Sequence, residues 1–408
     1  MYEPSWPVTP VMSARLDSCN RPPAVSSNTV TSDYVTNGFP RFTIEDLDVR
    51  TALRVSQGVS LAGTAVALIW AIGRSGFTLN PVLEDMVAAA KLWPSRTDLW
   101  MTQFYADSPL YIVSAQVFGL VDEVGLVRQS FFVGVGSLIA LAAWVWRLTC
   151  TPERYRAARL VILAPIGAVL FSSIGSYDPF TALAWALALW SWISRRKTLM
   201  ILGGTLLGFQ HFEQALFGSA ALALSWVALR SDLPQDLRRV NPVWFVPGIL
   251  TGKALLLLLF TLTGGSSTGR TEWLGRYVVE WFKIGVATLP YLLWSTFAGL
   301  WVVVVLIWLR SEKVSRLWLF ASVVPGVAAT LLSGDRPRVF VFVLLPTLLI
   351  AIVAFLNRSS TQVMEKRLAE IIAWIAPPII LAGKTAPNAN IFDNGYVAVM
   401  WITGLGGP

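Results

Sequence analysis

Apolar runs long enough to cross about 30 Å of hydrocarbon recur along this chain, and no other feature narrows its folding options as far. A segment in lipid must satisfy its own backbone hydrogen bonds, which leaves helices or closed barrels. The runs are continuous rather than alternating, so a β-barrel is excluded. The expected fold class is all-α, a polytopic transmembrane helical bundle of about eleven spans. Composition agrees: 55% of the 408 residues are hydrophobic and only 14% are charged, against about a quarter charged in soluble domains. Tryptophan occurs 19 times and favours the membrane–water interface. The net charge of +8 does not mark a nucleic-acid binder, because the cations are spread over short loops between apolar runs.

Residues 1–40 are rich in Pro, Ser, Thr and Asn and hold no apolar run. They read as a disordered cytoplasmic tail, not a secretory signal. Residues 39–54 form either an amphipathic surface helix or a solvated lead-in, closing an N-terminal region over 1–50. Spans are expected at 55–72, 130–146, 159–175, 179–193, 198–209, 214–229, 241–263, 284–309, 317–333, 339–356 and 368–383. Between the first two, the apolar pieces around 86–92 and 110–120 are too short to cross and suit interfacial helices in a long first extracytoplasmic loop. Alternate loops are basic, at Arg154, Arg195, Arg230, Arg310 and Arg358 among others, which places them and the N-terminus in the cytoplasm. The bundle occupies 51–383, followed by an extracytoplasmic tail over 384–408. Cys19 and Cys150 both fall on the cytoplasmic side, so no disulfide framework is implied. The third to sixth spans are short, which suggests tilted, broken or re-entrant segments.

The opposite loops carry a different chemistry. The long loop holds Glu84, Asp85 and Asp107. Asp178 opens the fourth span in Ser176-Tyr177-Asp178-Pro179, and His211 and Glu213 stand between the fifth and sixth. Arg276 lies by the seventh-to-eighth loop, and Asp335, Arg336 and Arg338 share a tight turn before the tenth span. Lys253 sits near the middle of an apolar span, where snorkelling is hard, so it should face a cavity or an acid. Ionisable groups at membrane depth are costly and mark functional cavities. A carboxylate can take a proton from a hydroxyl, and arginine can hold a phosphate through two parallel hydrogen bonds. Plainer roles compete: Asp107 and Asp178 each stand beside a helix-opening proline and could cap, His211 could be structural, and Arg336 and Arg338 could anchor at the interface. No metal-ligand spacing, Gly-rich phosphate loop or cofactor motif is present in the sequence.

This layout resembles the GT-C superfamily of integral-membrane glycosyltransferases. The resemblance rests on an acid soon after the first span (Asp85, beside Glu84) and on Tyr105-Ala106-Asp107-Ser108-Pro109-Leu110-Tyr111 leading to the second. Asp178 at the start of an Ala/Leu-rich fourth span and the Gly334-Asp335-Arg336-Pro337-Arg338 turn complete it. It covers about residues 50–383, mainly as topology. The chain departs from many members in having no soluble C-terminal domain and no Asp-x-Asp in the long loop. What the resemblance implies is an inverting sugar transfer from a polyprenyl-phosphate donor to a glycolipid or glycan acceptor, without metal or cofactor. Asp85 is the first candidate base, with Asp107 or Asp178 next. Arg336 or Arg338 would hold the lipid phosphate, with Lys253 or Arg276 in support, and Glu84, His211, Glu213 and Asp335 would complete the substrate site. The expected location is a bacterial inner membrane with the site on the extracytoplasmic face, among membrane lipids. Three alternatives remain: an O-antigen-polymerase or ligase-like transferase, a transporter or flippase with its ionisable residues near the bilayer midplane, and a non-catalytic assembly subunit.

Overall fold

A computed structural model describes residues 44–75, 79–80, 82–94, 105–264, 269–333, 336–376 and 402. The expected N-terminal tail, most of the C-terminal tail and Asp335 lie outside the described residues, as do the side chains of Arg276 and Arg336. Among the described residues every regular element is helical, and the one extended pairing is an isolated parallel bridge between Leu79 and Ile174.

The longer elements are α1 (Ile44–Arg74), α2 (Leu83–Leu92), α3 (Pro109–Phe118), α4 (Glu123–Leu148), α5 (Arg154–Ile162), α6 (Pro165–Phe171), α7 (Asp178–Ile193) and α8 (Lys197–Leu229). They continue with α9 (Phe245–Leu262), α10 (Gly269–Ala287), α11 (Leu289–Phe297), α12 (Trp301–Arg310), α13 (Lys313–Leu331), α14 (Arg336–Asn357) and α15 (Val363–Ile375). Local chemistry sets several boundaries. Proline occupies the first turn of α3, α6, α7 and α11, where its missing N–H costs nothing. Asp122 caps α4 by accepting from the Gly125 N–H at 2.7 Å. Gly119 closes α3 in the left-handed region, with φ of 67°. Gln362 and Glu365 form a reciprocal capping box at the start of α15.

Among the described residues six helical segments are long and apolar enough to cross a membrane: Glu123–Leu148, Lys197–Leu229, Pro242–Leu262, Leu289–Arg310, Lys313–Leu331 and Arg338–Asn357. That supports an all-α membrane protein and differs from a count of about eleven. The differences have local causes. The expected span 159–175 is broken before Pro165 into α5 and α6, and 284–309 is broken at Ala298 between α11 and α12. The first and fourth spans become Ser60–Arg74 and the 16-residue α7. The expected span 368–383 is described only as far as α15 and Ala376. The expected spans 198–209 and 214–229 belong to one 33-residue element, α8.

α8 is not straight. His211 has φ of −159° and ψ of 86°, an extended residue inside a helix. A straight helix of this length would run about 50 Å, with 1.5 Å of rise per residue. Yet Gly203 and Gly218 both lie against α7, at Ala188 and Trp185. Both ends of α8 also meet the same region: Lys197 lies over Trp244 and the Trp226 indole donates to Leu237 O. The element therefore folds back at His211 into two antiparallel limbs.

The first limb packs on α9 through glycines. A Cβ at Gly204 would lie 2.2 Å from Phe245 O, and one at Gly208 would lie 2.1 Å from Ile249 O. From the other side, a Cβ at Gly248 would lie 1.9 Å from Ile201 O and one at Gly252 would lie 2.1 Å from Thr205 O. Two small-xxx-small stripes thus bring backbones together, the usual route to tight helix association in lipid. α14 is the central helix. Its spanning window has a mean hydropathy of 3.0 and is 94% buried, the pattern of a helix surrounded on all sides.

Charges gather at the two ends. At the end carrying the basic loops, Arg156 and Arg159 clamp Glu370, Lys366 meets Glu153 at 3.4 Å, and Arg195, Arg310 and Arg358 pair with Asp236, Glu365 and Asp232. α15 is inverted relative to a water-facing helix. Lys366, Ala369 and Ala373 are buried, while Val363, Met364, Leu368, Ile371 and Ile375 are exposed. Arg74 donates to Leu163 O, Ala373 O and Ala376 O, satisfying carbonyls left open where α5 and α15 end.

Gly208→Val and Gly252→Val are each expected to lower stability by about 1–3 kcal/mol through forced separation of α8 and α9. Gly136, with open space where a Cβ would go, is the control position. Thermal unfolding in detergent reads this, and midpoints equal to that of Gly136→Ala would sink the packing account.

Candidate functional site

The end opposite the basic loops is where α7 and α14 begin and where α8 turns back. Three polar side chains fix this region before any charged group is considered. Gln210, fully buried, accepts from the Leu110 N–H at 3.0 Å and donates to Tyr177 O and Thr181 Oγ1, each at 3.3 Å. One side chain therefore ties the first turn of α3, the start of α7 and the turn of α8. Gln129 on α4 donates to Tyr111 O at 2.9 Å, and Ser137 on α4 donates to Pro179 O at 3.1 Å. Such bonds matter because buried polar groups without partners are costly.

On that frame stand two acid–cation pairs. Asp107, just before α3, has Lys253 Nζ of α9 at 3.8 Å from its Oδ1. Asp178, in the first turn of α7, has Arg338 Nη1 of α14 at 3.1 Å from its Oδ2. Both carboxylates are almost fully buried. Capping does not account for Asp178. α7 has no side-chain cap, and the Asp178 N–H itself donates to Ser176 Oγ at 3.4 Å. Asp178 also gains from the positive end of α7.

Tyr177 stands beside the second pair. Its ring lies 6.1 Å from Tyr105, 6.2 Å from Tyr111 and 5.8 Å from His211, and the Arg338 guanidinium is 5.7 Å from its centroid. His211 Nδ1 lies 3.5 Å from Glu213 Oε2, and Lys253 Nζ lies 5.9 Å from the Phe212 ring centroid. Lys253, mid-helix in sequence, reaches this end because Gly252 packs at Thr205, in the last turns before the fold-back. The expectation that it meets an acid is fulfilled.

The structure thus brings together Asp107, Asp178, His211, Glu213, Lys253 and Arg338. It does not bring in Asp85 or Glu84 directly. Both lie in the first turn of α2, Glu84 exposed and Asp85 half-buried, and neither is hydrogen-bonded or ion-paired to this group among the described residues. The α2 region is nonetheless tethered nearby, since the Asn80 N–H donates to Ile174 O at 2.8 Å and Leu83 packs at Gly175. Tyr177, Gln210, Thr181 and Phe212 join the site without having been singled out from sequence. Their only signal there was adjacency to Asp178 and His211. Among the described residues no group of three or more potential metal ligands is present. Comparison with protein families, curated proteins and solved structures gives no match.

The Asp178–Arg338 pair should behave as a buried ion pair. Arg338→Met is expected to cost about 3–5 kcal/mol, and adding Asp178→Asn should recover part of that loss. A double-mutant cycle by thermal unfolding measures it. Strictly additive losses would show that the two side chains are not coupled.

Proposed function

We propose that this chain is an integral-membrane glycosyltransferase, moving a sugar from a polyprenyl-phosphate donor to a hydroxyl of a glycolipid or glycan. The observation that carries the reading is the pair of buried carboxylates at a single end of the bundle, each held beside a cation from a distant helix. A transfer of this kind needs a base for the hydroxyl and positive charge for the departing phosphate, and these are the groups present.

In this reading Arg338 receives the lipid phosphate, its planar fork matching two phosphate oxygens. Asp178 orients the guanidinium. Asp107 accepts the acceptor's proton as the new bond to the anomeric carbon forms and the bond to the phosphate oxygen breaks. Lys253 adds positive charge for the leaving phosphate, and such charge stabilisation is commonly the largest single contribution to catalysis. Asp107 takes precedence over Asp85 because it is the acid built into the cluster. The short helices, the broken pairs and both limbs of α8 all cross in this reading, which gives about eleven crossings of varied length. The membrane is a bacterial inner membrane and the site faces outward, away from the basic loops.

The test supplies purified protein in lipid with labelled polyprenyl-phosphate sugars and a membrane extract as acceptor. Asp107→Asn is expected to slow transfer by about 10²–10⁴-fold, and Arg338→Lys to weaken donor binding. Wild-type rates in Asp107→Asn with loss in Asp85→Asn would move the base to Asp85. Absence of transfer from every donor would sink the enzyme reading and direct attention to a flux assay.

A further inference from the structure

Two sets stand out among the cations at the basic end. Arg156, Arg159, Arg195, Arg310, Arg358 and Lys366 are ion-paired with Asp or Glu. Arg154, Lys197, Arg230 and Arg316 have no carboxylate within ion-pair distance among the described residues. Each instead lies over an indole: Arg154 4.6 Å from the Trp146 centroid, Lys197 4.5 Å from Trp244, Arg230 4.8 Å from Trp226 and Arg316 5.1 Å from Trp308. Three of these indoles are exposed, Trp308 at 42%, Trp146 at 37% and Trp244 at 36%, while Trp226 is buried. Of the three, Trp146 and Trp244 have a second exposed cation directly beside the indole or its cation in sequence, Arg147 next to Trp146 and Arg196 next to Lys197, whereas Arg310, near Trp308, is paired with Glu365.

We infer that these two places, Trp146 with Arg147 and Arg154 and Trp244 with Arg196 and Lys197, bind the phosphate headgroups of anionic phospholipids. The chemistry is specific on three counts. The charge is left without an acid, so an external anion completes it. Arg154 is held in place by donating through Nε to Thr149 O at 3.3 Å and by the indole beneath it, which keeps it at the helix end. The indole offers an apolar face beside the charge, which suits an anion attached to an acyl chain. A membrane setting supplies that partner, since Trp146 closes the spanning segment Glu123–Leu148 and Trp244 opens Pro242–Leu262. This inference stands apart from the sugar-transfer reading.

The experiment uses the full chain in nanodiscs of phosphatidylcholine with and without phosphatidylglycerol, followed by native mass spectrometry of the lipids retained in detergent. Phosphatidylglycerol should be retained in preference to phosphatidylcholine. Arg154→Gln and Lys197→Gln should each reduce that preference by about fivefold, as expected for one basic residue near an anionic surface. Arg154→Lys should keep it. Arg367→Gln removes an exposed cation on α15 and should leave it unchanged. Should a Gln variant fail to fold, Trp146→Leu and Trp244→Leu test the same places from the aromatic side. Equal retention of the two lipids by wild type, or an equal loss in Arg367→Gln, would overturn the proposal, the second by showing that net charge alone is read.

Discussion

The close approach of α8 and α9 is the contact on which the rest of the arrangement depends. In lipid there is no hydrophobic drive between apolar helices, so association relies on backbone proximity and dispersion. Gly204, Gly208, Gly248 and Gly252 provide that proximity, each with a carbonyl oxygen of the facing helix where a side chain would begin. The first limb of α8 is thereby fixed against α9. Its turn at His211 then falls beside Lys253, and the second limb returns along α7 and α14, with Gly218 at Trp185 and Val343 O. A larger residue in the stripe would separate Lys253 from Asp107 as well as loosen the helices.

Charge is distributed by the same economy. An unpaired charge deep in a bilayer costs about 3 kcal/mol or more, and among the described residues the buried acids all face cations. The two ends solve the problem differently. At the basic end the pairs staple neighbouring elements, as Glu370 does between Arg156 and Arg159. At the other end the Asp178–Arg338 pair lies against Tyr177 and the Asp107–Lys253 pair against Phe212, each pair joining segments far apart in sequence.

The helical membrane class, the alternation of basic loops and the residue types of the site were legible in the sequence. Apolar runs and loop charges are local properties, and local patterns report them directly. Asp107, Asp178, Lys253, His211 and Arg338 stood out because a polar group beside lipid is conspicuous one residue at a time. The break before Pro165 was not read from the sequence, where 159–175 was expected as one span, although proline interrupts the run of backbone donors there. The partners of these residues were not legible. Asp178 meets Arg338 across 160 positions, and nothing local to either states it. Gln210 looked like one more polar residue in a turn, yet its amide joins three elements. Lys253 looked like a mid-membrane charge and lies instead level with the site, because helix packing and not sequence position sets depth. The sequence by itself determined that the chain is helical and suited to a membrane, with its charge segregated between loops. Only the tertiary structure decided which acid faces which cation, because that depends on how closely glycine-lined backbones approach and where a long helix folds back.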